Sequence, residues 1–474
     1  MRNTLHTFET YKRIFDLEER RGRLREDYFS ESAQRISANL KEKRKNLKGL
    51  SDKQKEAQKE LIESLKADYE AARINDIQQL YQRIQEGDYT IQLKTVNAKG
   101  KTGYTTANAE SMILSKVLML ELKRSYKYAP ANRNDIIEEL RALLDNPMAK
   151  VVIRADIHHF FESIPQDKLV GKIMEDAYLS ASSLKTLKTF LYKYNELAGN
   201  LIERLGVPRG LPFSSYLAEI YMAAFDRKVR QIDGVYYYKR YVDDIILIAK
   251  PDKKDIKDYW TTIEKLVQDI GLVLNVEEEK RRCELFSPTL TSPLTMNYLG
   301  YQFCYANGCL EVLLTESKFN RYKETIRLIF EKYHNIASYT NRRIEPKKKT
   351  DTTIQFMHRL SALTGNGRLN GRKNFVLVGI YYSNKFITSL EQLRQLDDYM
   401  KACVNNEDLL CLPKSMFRYG TGNDYDNCVK NIKDKILSEY SFVKGFETRR
   451  LYRWSDYTNI VRQNSALYYS QTDE

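Results

Sequence analysis

The chain has 474 residues, 42% of them hydrophobic, which is enough for two or three domains with cores of their own. Lys and Arg number 77 against 63 Asp and Glu; the formal charge of +14 favours nucleic acid or another anionic surface as partner. No run of about 18 apolar residues occurs, so no membrane-spanning helix is expected, and Met1-Arg2-Asn3-Thr4-Leu5-His6 does not read as a signal peptide.

Residues 1–88 read as a charged helical extension. A helix is expected from Ser51, an N-cap residue, to near Gly87, with Ala57, Leu61, Leu65, Tyr69, Ala72, Leu80 and Ile84 at helical spacing. Ahead of it, Lys41, Lys43, Arg44, Lys45 and Lys48 form either a solvated face or a nucleic-acid contact. Residues 89–104 read as a β-hairpin with a basic, glycine-containing turn. Helices follow over 109–126, 134–145, 166–176 and 183–204, and an apolar strand, Val151-Val152-Ile153-Arg154-Ala155-Asp156, ends on a carboxylate. After the loop Gly206-Val207-Pro208-Arg209-Gly210 comes a helix from Ser214. Then come a hairpin around Asp243-Asp244, a helix over 255–270, and strands at 272–276 and 297–303. Beyond residue 315 the chain reads as mainly helical: Phe319, Tyr322, Ile326, Ile329, Phe330 and Tyr333 mark one amphipathic helix. Residues 341–349 form a basic connector. Strands and helices alternate irregularly, which gives an α+β fold. The six cysteines include no Cys-x-x-Cys pair and are read as reduced thiols, so a cytoplasmic location is expected.

Tyr241-Val242-Asp243-Asp244 is the most telling stretch. Aspartate tolerates turns, so a purely structural role is one reading. Adjacent carboxylates repel each other inside an apolar hairpin, however, and a divalent metal pair offsets that cost. Two-metal phosphoryl transfer needs carboxylates that bridge ions about 4 Å apart. Asp156, at the end of the earlier apolar strand, is the natural third ligand.

These segments, in this order, resemble the motifs of the reverse transcriptase family. Residues 152–165, containing Asp156, Phe160 and Phe161, resemble its first catalytic motif; residues 206–215 resemble the second. Arg240-Tyr241-Val242-Asp243-Asp244 resembles the third, Gly271-Leu272-Val273-Leu274-Asn275 with Lys280 the fourth, and Tyr298-Leu299-Gly300-Tyr301 the fifth. The resemblance implies a right-hand polymerase: fingers and palm over 89–310, a thumb-like helix and basic connector over 311–345, and a helical C-terminal region over 346–474. It also implies two Mg2+ (or Mn2+) ions on Asp156, Asp243 and Asp244, and dNTP substrates. Lys280 would protonate pyrophosphate, and Phe161 would act as a steric gate against a 2′-hydroxyl. Lys94, Lys99 or Lys101 would reach the triphosphate, with Arg133 and Arg154 as further candidates, and Ile157, Phe160, Arg209 and Gly210 would line the nucleotide site. Arg133, Arg240, Tyr241 and Gly300 would contact nucleic acid.

Many members of the family carry Gln where this chain has Arg209. Pro208-Arg209-Gly210-Leu211-Pro212 with Leu217-Ala218-Glu219 resembles the prokaryotic abortive-infection and defence-associated branch, as do Leu363-Thr364-Gly365-Asn366 and Gly379-Ile380-Tyr381-Tyr382. That branch implies a noncoding RNA template or untemplated synthesis, and a DNA product that some relatives attach to a protein hydroxyl; a homo-oligomer is left open. Two alternatives stand beside it: a retron-like or intron-type enzyme copying a structured RNA, and a polymerase fold that binds nucleic acid without catalysis.

Overall fold

The computed structural model describes residues 5–21, 24–47, 51–98, 101–128, 131–251, 253, 255–287, 293–339, 346–369, 376–406, 422–452, 460–461 and 463–464. The chain forms two compact units. The first holds Met1–Ala131, Asp156–Ile245 and Tyr259–Asn275; the second holds Asn132–Ala155, Ile246–Asp258 and Val276–Glu474.

Helices α1 (Phe8–Arg20), α2 (Glu31–Lys45) and α3 (Asp52–Glu86) open the first unit. The start of α3 is set by Ser51 and Gln54, which form a reciprocal capping box. Its buried face is Ile62, Ile77, Leu80 and Ile84, whereas the expected Leu61 is 42% exposed. The face turns this way because α3 also buries Arg73, whose guanidinium pairs with Asp16, Glu19 and Glu70. A buried cation held by several carboxylates fixes how α3 docks on α1. The hairpin β1 (Leu93–Ala98) and β2 (Lys101–Thr106) then pairs Lys94 with Thr105 and Ala98 with Lys101. Helix α4 (Ala109–Tyr126), capped by the Asn108 side chain, buries Ile113, Val117 and Leu122.

In the second unit come α5 (Arg133–Asp145) and β3 (Lys150–Asp156), whose last residue already belongs to the first unit. All seven residues of β3 are buried. The first unit continues with α6 (Phe160–Ser163), α7 (Gln166–Asp176), α8 (Ala181–Ala198) and α9 (Ser214–Arg230). The helix expected over 183–204 stops early, because the chain turns left-handed at Gly199. Strands β4 (Val235–Tyr241) and β5 (Asp244–Ala249) flank the Asp243 turn, and α10 (Ile256–Asp269) follows. Residues 272–276, expected as a strand, make only an isolated bridge from Leu274 to Ile157. Leu272, Leu274 and Asn275 are buried there and Val273 and Val276 exposed, with no second ladder partner among the described residues.

Strand β6 (Arg282–Phe286) runs antiparallel to β3, from Lys150 opposite Phe286 to Arg154 opposite Arg282. Within the second unit the order is β5-β3-β6. Strands β7 (Leu294–Tyr298), β8 (Tyr301–Ala306) and β9 (Cys309–Leu314) form an antiparallel meander. The single strand expected at 297–303 is thus broken into a hairpin. Leu299 (φ 45°) and Gly300 (φ 77°) both take the left-handed conformation that a two-residue hairpin turn requires.

Helices α11 (Glu316–Tyr339) and α12 (Pro346–Thr364) lead to β10 (Asn366–Leu369) and β11 (Val376–Gly379). Helices α13 (Glu391–Asn405), α14 (Gly422–Glu439) and α15 (Phe442–Thr448) follow, with β12 (Leu451–Tyr452) last. Strands β10–β12, none of them expected, form a small sheet in the order β11-β10-β12. Of the basic connector, 341–345 lies outside the described residues and α12 begins at Pro346. Cys283, Cys304, Cys309 and Cys403 are free thiols; Cys411 lies outside the described residues. No described helix is long and apolar enough to cross a membrane.

Candidate polymerase site

The three aspartates converge in the first unit. Asp156, Asp243 and Asp244 each present a carboxylate oxygen, and these atoms lie within 4.8 Å of one another. Asp156 is buried; the other two are half-buried. Three carboxylate oxygens at this spacing are hard donors, which suit a divalent cation such as Mg2+ or Mn2+ better than a soft metal.

Backbone hydrogen bonds fix the cluster. The Ile157 amide donates to the Asp243 carbonyl (3.2 Å), which ties the end of β3 to the turn. Asn275 holds Asp156 twice: its backbone N–H donates to the Asp156 carbonyl (2.7 Å) and its Nδ2 to Oδ2 (3.1 Å). The His158 amide donates to the Val273 carbonyl (2.9 Å). Asn275 was read only as part of a motif; its place after the apolar Leu272-Val273-Leu274 was the signal for a buried polar contact.

The Asp243 turn is strained and supported from beneath. Val242 has φ 60°, a conformation costly for a β-branched residue. Its carbonyl accepts from Arg240 Nη1 at 2.7 Å. Arg240, expected at a nucleic-acid contact, is 6% exposed. It donates from Nε and Nη2 to Asp226 (both 2.9 Å), and from Nη1 and Nη2 to Glu219 (3.2 and 2.8 Å). With Val242 these contacts occupy all five guanidinium N–H groups. Burial opposes the charge of Arg240, but the hydrogen bond and charge of Asp226, with Glu219, outweigh it and hold its pKa above the ordinary value. Glu219 enters the sequence reading only within the Leu217-Ala218-Glu219 motif and Asp226 not at all, since nothing local marks a carboxylate as the partner of a residue on the next element.

A second group of side chains surrounds Phe161. Phe160 is 1% exposed and packs edge-on against Phe161 (centroids 5.5 Å), which stays half-buried. Of the pair, Phe160 is the core residue and Phe161 the partly exposed one. Arg209 lies over the Phe161 ring at 5.4 Å and pairs with Glu162 at 2.9 Å. Arg209 Nε is buried without a hydrogen-bond partner among the described residues. The Arg209 loop carries the β1–β2 hairpin, because the Tyr104 amide donates to the Arg209 carbonyl at 2.7 Å. Gly210, at φ 102°, lies so close that a Cβ would stand 2.6 Å from the Tyr104 carbonyl oxygen. Any other residue there would lift the hairpin off the loop. Lys94 and Lys101 are exposed on that hairpin, and Lys99 lies outside the described residues. Ile157 is 1% exposed and Tyr241 is half-buried.

The remaining expected residues belong to the second unit. Lys280 is half-buried at the end of a short 3-10 turn, Glu278–Lys280. Arg133 Nε donates to the Leu299 carbonyl at 3.0 Å, which places its guanidinium beside Gly300. Arg154 is 7% exposed, 6.0 Å from the Tyr298 ring centroid.

Residues 104–303 match the family model described as "Reverse transcriptase (RNA-dependent DNA polymerase)". No curated protein sequence matches the chain. Among solved structures, apo telomerase from Candida tropicalis, truncated from its C-terminal domain, is similar at 14% identity and TM-score 0.35, over 47% of this chain and 54% of that one. Telomerase from Candida albicans, in complex with a TWJ fragment of telomeric RNA, is similar at 13% identity and TM-score 0.33, over 74% and 56%. The corresponding complex from Candida tropicalis is similar at 13% identity and TM-score 0.33, over 80% and 61%. The chain spans about half the length of the first of these. Residues 104–303 form a reverse transcriptase domain, a nucleotidyltransferase by class.

Proposed function

We propose that the chain is an RNA-directed DNA polymerase, and that it serves prokaryotic antiviral defence in the cytoplasm. The observation that carries the polymerase reading is the convergence of Asp156, Asp243 and Asp244 within 4.8 Å, in a domain of the reverse transcriptase family. Those three residues would hold the divalent metal ions. Bound there, the metals supply the Lewis acidity that two-metal nucleotidyl transfer requires. Asn275 and Arg240 hold the carboxylates in place for this task. Phe161 presents the ring that would exclude a 2′-hydroxyl, while Glu162 and Arg209 fix its orientation. Lys94 and Lys101 offer exposed ammonium groups for a triphosphate, and Lys280 is assigned to pyrophosphate protonation.

The defence assignment rests on the Pro208-Arg209-Gly210-Leu211-Pro212 loop. Its arginine meets a carboxylate, Glu162, as its built-in partner. A noncoding RNA is the template in this reading, and the product is DNA. The test is to purify the full chain from its host and sequence the RNA and DNA that accompany it, with a phage challenge in parallel. A defined RNA with complementary DNA, and phage protection lost in Asp243→Asn, is the expected result. DNA of random or homopolymeric sequence bound covalently to protein would replace templated copying with untemplated, protein-primed synthesis. Undiminished protection by Asp243→Asn would refute a defence role that depends on synthesis.

A further inference from the structure

The second unit contains a cavity of about 730 Å3 whose lining includes Arg133, Lys318, Arg321, Ser317, Gly300 and Tyr382, and no Asp or Glu. That volume falls within the ~300–1,000 Å3 typical of small-molecule sites. Three cations in one cavity repel each other, and none of them forms an ion pair among the described residues. Arg133 spends N–H groups on the Leu299 carbonyl, and Lys318 Nζ donates to the Ser383 carbonyl at 3.1 Å. Both cations sit 5.0 Å from the centroid of the same Tyr301 ring. That ring attracts them together without neutralising either. Burial first, then the charges of Arg133 and Arg321, push the Lys318 pKa down to about 7.

The cavity also lies at the start of a long helix. Thr315 caps α11 by accepting from the Lys318 amide at 3.4 Å, while the amides of Glu316 and Ser317 have no acceptor among the described residues. Gly300 keeps the wall thin: a Cβ there would come 3.4 Å from Arg133 Nη2 and 3.6 Å from Lys318 Cδ. Cations, a helix N-terminus and a hydroxyl thus converge on one space, and an anion would relieve the repulsion that the protein leaves uncompensated.

We infer that this cavity is a binding site for a phosphate-bearing anion of about mononucleotide size, held by Arg133, Lys318 and Arg321, with the half-buried Tyr382 ring beside it. The inference goes beyond the aspartate cluster and does not rest on its metal chemistry. It also assigns a ligand class to Arg133 and Gly300. The phosphate could belong to a free nucleotide or to the 5′ end of a nucleic acid.

Titration calorimetry of the full chain in EDTA, which silences metal-dependent binding, tests it with five probes: inorganic phosphate, dAMP, deoxyadenosine, and a short oligonucleotide with and without a 5′-phosphate. Wild type is expected to bind phosphate and dAMP, with affinity reduced at least tenfold in Lys318→Met/Arg321→Gln. Lys323→Gln, on the same helix outside the cavity, is expected to bind as wild type does. Asp243→Asn is also expected to bind normally, so failure of the polymerase reading leaves this result intact. Binding confined to the 5′-phosphorylated oligonucleotide, and lost in the double variant, identifies a nucleic-acid end as the source. Equal affinity of wild type and double variant for every probe, or equal binding of dAMP and deoxyadenosine, overturns the site. Should the double variant fail to fold, Arg321→Gln alone, at an exposed position, carries the comparison.

Discussion

Replacing Arg240 with Met should destabilise the protein by ~3–5 kcal/mol, the usual consequence of removing one partner from a buried ion pair. The Arg240 side chain is 3% exposed, and those of its partners Glu219 and Asp226 are 17% and 14% exposed. Met fills similar volume, so packing contributes little to the loss. The cost comes instead from two carboxylates left without their cation and from the Val242 carbonyl left without its donor, the last worth ~1–3 kcal/mol by itself. Arg240→Lys keeps the charge but has three donors for five acceptors, so it should recover only part of the loss. In the Arg240→Met background, Asp226→Asn with Glu219→Gln should restore much of the stability, since no buried charge then remains unpaired. That triple variant should still incorporate dNTPs poorly, because nothing pins the strained Val242 turn. Urea unfolding in parallel with primer extension reads both effects. An Arg240→Met variant within ~0.5 kcal/mol of wild type, the range of an ordinary surface substitution, would mean that the buried ion pairs do not hold the turn.

Phe161→Ala should raise ribonucleotide incorporation relative to deoxynucleotide; an unchanged ratio would make Phe161 a packing residue. Glu162→Gln frees Arg209 from its carboxylate and should alter the KM for nucleotide, while costing at most ~1 kcal/mol of stability because the pair is half-exposed. Asn275→Ala removes the hydrogen bond to Asp156 Oδ2 and should weaken Mn2+ binding, measured by paramagnetic titration, more than it lowers the melting temperature. Lys318 gives a pH signature. Its folded-state pKa of about 7 lies below its ordinary 10.5, with Arg133, Arg321 and the Tyr301 ring facing it. Below pH 7 both states hold the proton and the folded state bears the full penalty. Between pH 7 and 10.5 the folded state sheds a proton that the unfolded state keeps, so stability rises with pH. Lys318→Met should therefore be more stable than wild type at pH 6, with the advantage shrinking toward pH 10.5. Thermal melts across that range check the slope, and a constant difference would contradict it.

The aspartates were legible because their chemistry is written locally: an apolar run ending on Asp156, and an adjacent pair in a hairpin. A hairpin expected at 89–104 and found at 93–106, the helix at 109–126 and the capped helix from Ser51 were legible for similar reasons of period and caps. What supports the site was not. Arg240 carries the marks of a surface cation, and only the fold reveals Asp226 and Glu219 beneath it. Residues 272–276 carry strand-forming side chains, but among the described residues they make only the isolated bridge from Leu274 to Ile157. The break at Leu299-Gly300 was hidden inside an apolar run, and there a left-handed turn overrides the β propensity of Tyr298 and Tyr301. The cavity around Lys318 draws on four separated segments, so no single window of sequence could show it.

Asp156, Asp243 and Asp244 are proposed to form a metal-dependent nucleotidyl-transfer site. Measuring dNTP incorporation by purified Asp243→Asn and Asp244→Asn, with RNA binding and melting temperature on the same preparations, tests this. Incorporation is expected to be lost in both variants while RNA binding and folding persist. Incorporation at the wild-type rate by either variant would contradict it.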